Sequence, residues 1–169
     1  MAKGLTSSYV PLGAVGLSRP IADHFRDHVF WGLTYNAHPF CLAVADAAIE
    51  VLLDEGWSRM PPGSRPVMRE EMERLAERHR SVATHRNIGL FGIVELRKDA
   101  RDTPIAPYNG SHPAMGKLYR ALLEGGLYTV VRGNHFMTNP PLSITETELR
   151  EGFAILDRAL PIVDEVFES

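Results

Sequence analysis

The sequence predicts an α/β fold, and three observations predict it. Apolar runs at Val10–Leu17, Asn87–Leu96 and Leu127–Val131 are bounded by Gly, Ser, Pro and charged residues, the mark of short strands. Residues 40–53, 66–82 and 115–123 have the length and apolar spacing of helices. The chain closes on a helix announced by a capping box, Thr145 with Glu148 three residues on, which buries Leu149, Phe153, Leu156, Leu160 and Val163 at alternating four-and-three spacing.

In chain order, the first element is Ala2-Lys3-Gly4-Leu5-Thr6-Ser7-Ser8-Tyr9, one lysine among small and hydroxyl residues, running into the strand Val10–Leu17. Small neighbours let a bulky carbonyl-bearing cofactor approach the lysine nitrogen, and a partly desolvated amine has the lowered pKa that imine formation requires. Lys3 is therefore a candidate nucleophile, although composition alone would leave it a solvated surface charge. Pro20 suits the first turn of a short helix over 21–25. His24 and His28 share a metal-ligand spacing, but no third ligand stands nearby and HExxH is absent, so they read as a polar helix face and no metal is expected.

Residues 30–39 form a turn-rich loop before the next helix, with Asn36 or His38 as cap, Pro39 in the first turn and Gly56 suited to the left-handed end. The body, 40–53, is apolar on nearly every face and is expected to lie buried between layers, with Cys41 as a small hydrophobe. A loop before a helix N-terminus is a natural phosphate site, and Thr34 is its candidate hydroxyl; turn or cap duty is the ordinary role of such a threonine. Residues 57–65 are a connector. In the helix over 66–82, Met68, Met72, Leu75, Ala76 and His79 share the inner side. Gly89 and Gly92 within the 87–96 strand point to a bulge or a close backbone approach, and 97–113 to a long polar loop. Gly125-Gly126 closes the next helix, and Pro161 ends the regular part of the last one. Arg132 stands between an apolar run and the Gly133-Asn134-His135 turn; its planar fork suits a carboxylate.

At 169 residues, 44% apolar and 23% charged, the composition is that of a soluble protein with a real core. A net charge of −3 without a basic cluster argues against nucleic acid. No apolar run reaches the ~20 residues that span a bilayer, so no membrane partner is expected. One cysteine excludes an internal disulfide and fits a reducing cytoplasm, and the N-terminus lacks a secretion-signal pattern.

The strings AKGLTSSYVPLGAV and GLTYNAHP, followed by Arg132 through Leu142, resemble in order three signatures of the class III pyridoxal-phosphate-dependent aminotransferases. The resemblance implies the C-terminal portion of a fold-type I transferase. Residues 1–36 would end the large cofactor domain, 37–58 form a connecting helix, and 59–169 make a small C-terminal α/β domain. It implies that Lys3 carries pyridoxal 5′-phosphate as a Schiff base and shuttles the proton, that Thr34 reaches the phosphate in the neighbouring subunit of a homodimer, and that Arg132 binds the substrate carboxylate. The expected reaction moves an amino group from an amino acid or ω-amino donor to a keto acid such as pyruvate, closest to the taurine and β-alanine branch. The groups that pair with the pyridine nitrogen and cup most of the phosphate would lie upstream of Lys3, so the isolated chain is expected to bind cofactor weakly, to be inactive and to expose an apolar face. A decarboxylase, racemase or aminomutase on the same scaffold, or a non-catalytic interaction domain, are the competing readings. A serine hydrolase is excluded by the absence of GxSxG.

Overall fold

The computed structural model describes residues 1, 3–27, 32–56 and 64–168, with the side chains of 64 and 65 left out. Two compact units divide between Arg59 and Met60. His28 and most of the 57–65 connector lie outside the described residues.

The second unit runs α3 (Ser64–Arg78), β1 (Val82–Ile88), β2 (Phe91–Leu96), α4 (Pro113–Glu124), β3 (Val131–Arg132), β4 (His135–Thr138), α5 (Glu146–Ala159) and α6 (Pro161–Asp164). Its four strands form one antiparallel sheet in the order β1-β2-β4-β3. Strand alternation sends Val82, Val94, Leu96 and Phe136 into a core shared with Met68, Met72, Leu118, Leu122, Phe153 and Leu156. The opposite face, bearing Thr84, Arg86, Glu95, His135 and Arg132, stays open.

Two features of the sheet correct the expectations. The 87–96 segment is not one strand but the end of β1, a turn and β2: Ile88 pairs with Phe91 around Gly89-Leu90, and Gly89 takes φ +63°, the pattern of a II′ turn. The helix before it ends at Arg78, and 82–88 becomes an edge strand whose Thr84, Arg86 and Ile88 face solvent. Gly92 does mark a close approach, since a Cβ there would lie 2.6 Å from Met72 Cε and against Thr138 Oγ1. The 127–131 strand shortens to Val131–Arg132 and turns at Gly133-Asn134, φ +55° at Gly133, into β4, which lay within the expected turn region.

The loop over 97–113 is anchored. Asp99, 6% exposed, accepts hydrogen bonds from the Arg101 and Thr103 amides at 2.9 and 3.1 Å. The Thr103 side chain foremost, then these amides and the Arg101 charge, hold its carboxyl below the usual range. Ile105 and Ala106 are buried.

Helix α5 forms as predicted, with both halves of the capping box present and Leu149, Phe153 and Leu156 buried; Leu160, its C-cap, and Val163, in α6, are buried too. Thr145→Ala removes the hydroxyl that caps Glu148 N and is expected to cost about 1 kcal/mol, read as a lower urea midpoint at pH 7. The Thr145 amide, then its hydroxyl, hold the Glu148 carboxyl below its ordinary 4.5. A depressed carboxylate stabilises the fold above that ordinary value, and the contribution fades as pH falls through the folded one. The midpoint difference between wild type and Thr145→Ala therefore narrows below pH 4.5.

The first unit holds a 3₁₀ turn (Lys3–Thr6), α1 (Arg19–His24) and α2 (Pro39–Asp54), with the 3₁₀ turn packed on α2. The strand expected over Val10–Leu17 does not form: 11–18 is irregular, because no described neighbour strand offers it a ladder, and Val15 is 86% exposed. Helix α2 forms, and Gly56 takes φ +72° past its end, but the expected burial between layers is absent. Ala45 is its one buried residue, while Phe40, Leu42, Ile49, Val51 and Leu53 lie open, since the described elements of this unit are too few to cover a helix apolar all round. The apolar face expected to be exposed is found here. Among the described residues no helix is long and apolar enough to cross a membrane.

Candidate functional site

Around Lys3 the backbone is strained. Lys3, Ser7 and Ser8 take φ of +56°, +50° and +66°, a left-handed region that side chains other than glycine rarely adopt and that costs about 1–3 kcal/mol per residue. Local hydrogen bonds impose it. Thr6, 1% exposed, donates its hydroxyl to Val10 O at 2.7 Å, and the Ser7 and Tyr9 amides donate to Gly4 O and Thr6 O, each at 3.0 Å. Met1 and Ala14 exchange two backbone bonds of 2.7 and 2.8 Å, closing the segment into a loop. Lys3 itself is exposed and has no hydrogen bond or ion pair among the described residues.

Thr34 opens the turn before α2, also exposed and without a partner among the described residues. Ala37 in that turn is left-handed as well, φ +52°. His38 takes the N-cap position, yet no side chain caps the helix, so the first amides of α2 are left for water or an anion. The expected capping by Asn36 or His38 is thus replaced by an open helix start.

Arg132 is in the other unit. It ends β3, exposed, directly opposite His135 of β4. The turn between them is pinned to β2 by Leu96 N donating to Asn134 O at 2.7 Å. The first unit thus carries Lys3 and Thr34, and the second Arg132. Among the described residues no group of three His, Cys, Asp or Glu could hold a metal.

His135 and Glu95, neighbours of Arg132 across the sheet, were not among the residues singled out from sequence. The signal that could have found them is the Gly133-Asn134 pair between Val131 and Phe136, a two-residue hairpin loop that sets its flanking residues opposite one another.

The family model described as aminotransferase class-III matches residues 1–160. The chain is similar to the omega-aminotransferase of Caulobacter vibrioides, 30% identical across 97% of this chain and 37% of that protein. It is also similar to the putrescine–pyruvate aminotransferase of Pseudomonas aeruginosa, 27% identical across 95% of this chain and 35% of that one. Among solved structures, taurine:2-oxoglutarate aminotransferase from Bifidobacterium kashiwanohense, in complex with PLP and glutamate, superposes with a TM-score of 0.91 at 34% identity, covering 99% of this chain and 38% of that one. The α/β fold is therefore that of part of a PLP-dependent transaminase. The chain spans little more than a third of the length of these relatives.

Proposed function

The chain belongs to the class III aminotransferases, and from that premise we propose that the whole enzyme transfers an amino group from an ω-amino or amino-acid donor to a keto acid such as pyruvate or 2-oxoglutarate, with pyridoxal 5′-phosphate as cofactor. The named activities of the relatives support the donor and acceptor classes. The observation that carries the reading to a residue is Lys3, an unpartnered amine on a strained turn tied down by buried Thr6.

The residues present fit the group. A free amine suits the cofactor carbonyl, and a free hydroxyl beside uncapped helix amides suits its phosphate. Bound pyridoxal phosphate supplies an electron sink at the carbon bearing the donor nitrogen. Lys3 Nζ would hold the cofactor, and the same amine would move the proton at the donor carbon. Thr34 donates its hydroxyl to the phosphate of the cofactor in the partner subunit of a homodimer. Arg132 receives the substrate carboxylate through two parallel hydrogen bonds. Lys3 is open to solvent here, so exclusion of water from its amine falls to surfaces of the enzyme outside these 169 residues.

Residues 1–36 then belong to the large cofactor domain, 37–58 to a connecting helix and 59–169 to the small domain, a division supported by the two compact units. A single cysteine fits a cytoplasmic enzyme. Borohydride reduction of the holoenzyme tests the reading. The cofactor mass should become fixed on the peptide containing Lys3, and fixation on another lysine overturns it.

A further inference from the structure

We propose that His135 is a second donor to the carboxylate that Arg132 receives, and so a specificity-determining residue for the acid substrate. The proposal rests on the carboxylate role of Arg132.

Strand register carries it. Arg132 pairs with His135, and His135 pairs in turn with Glu95, so the three side chains form one row across β3, β4 and β2 on the open face of the sheet. Residues directly opposed in an antiparallel pair hold their Cβ atoms about 5 Å apart, within reach of an imidazole on either side. His135 is half-buried and, like Arg132, has no hydrogen-bond partner among the described residues. A polar ring in that position, next to a free guanidinium, has a donor to offer.

Glu95, on the other side of His135, pairs with Arg86 and makes no hydrogen bond to the ring. Its Oε1 is held at 2.9 Å by Arg86 Nη1, which fixes the carboxylate and leaves Oε2 unengaged among the described residues. An imidazole has at least one ring N–H, and no hydrogen bond to Glu95 takes it up, so that N–H is free for an acid group. Arg132 stands directly opposite on β3, where the acid group would lie. The frame is rigid. Phe136, fully buried, locks β4 from beneath, and the Leu96–Asn134 bond holds the turn.

The bound class is a small carboxylate, tested with pyruvate. In the ¹⁵N-labelled chain, pyruvate should shift the amides of Glu95 and of 131–136 in a saturable way. Losing a hydrogen bond to a charged group should raise the dissociation constant about tenfold in His135→Phe, with His135→Gln falling between wild type and His135→Phe. His85→Gln, two strands away on β1 and on the other face, is the unchanged control. In the holoenzyme, His135→Phe should raise KM for pyruvate by a larger factor than it lowers kcat. Loss of binding in Arg132→Ala, with His135→Phe within twofold of wild type, overturns this inference and leaves the role of Arg132 standing. Unaltered binding in Arg132→Ala, or no saturable shift in the wild-type chain, overturns both.

Discussion

Lys3→Ala in the holoenzyme is expected to lower kcat by about a thousandfold or more, because one amine both holds the cofactor and carries the proton, and general acid–base catalysis alone contributes about 10²–10⁴. Steady-state turnover and the borohydride-fixed mass on the residue-3 peptide should vanish together. Lys3→Arg, which keeps the charge but cannot act as a nucleophile, should be as inactive as the alanine variant. Turnover within tenfold of wild type in either variant sinks the assignment. The local backbone sharpens the expectation. Lys3 is left-handed, so any side chain there is strained, and alanine relieves none of that strain. A loss of activity thus reports the missing amine and not a relaxed loop, which circular dichroism of the variant would check.

The parts of the fold legible in the sequence are those whose signals are local. The Thr145–Glu148 capping box and the spacing from Leu149 to Val163 specify α5 without help from distant residues. The inner side of α3 was equally readable, since Met68, Met72, Leu75 and His79 repeat at helical period and are all buried. Edge strands hid. β1 spells Thr84-His85-Arg86-Asn87, and one of its faces is solvent, so it lacks the apolar content that marks a strand. Val10–Leu17 shows the converse: an apolar run without a described neighbour to complete its ladder is not a strand. At the site, Lys3, Thr34 and Arg132 stood out through ordered resemblance, while His135 beside Arg132 is a matter of register, which exists only once the Gly133-Asn134 turn is folded.

His79→Ala is expected to destabilise the second unit by about 3 kcal/mol, the low end of the cost of leaving charged groups in the interior without their partner. His79 is 5% exposed, and both its ring nitrogens face carboxylates: Nδ1 lies 2.6 Å from Asp164 Oδ2 and Nε2 3.2 Å from Asp157 Oδ1. Carboxylates only accept, so a ring nitrogen that carries a proton donates to the acid it faces. The clasp ties the exit of α3 to α5 and α6, with Ser81 N on Asp164 Oδ1 at 3.0 Å and Arg78 on Asp157 Oδ2 at 2.9 Å. Removing the ring leaves two carboxylates facing a void with only rim partners. The low end applies because these side chains keep 22% and 20% exposure, so water relieves part of the charge. Against a total stability of about 5–15 kcal/mol, the loss should lower the urea midpoint by about 2 M. His79→Gln, which retains a donor, should lose less. Adding Asp157→Asn and Asp164→Asn to His79→Ala should recover part of the midpoint, since neutral amides do not repel across the gap. A shift under about 0.5 M for His79→Ala would show that the clasp contributes little, as exposed pairs do.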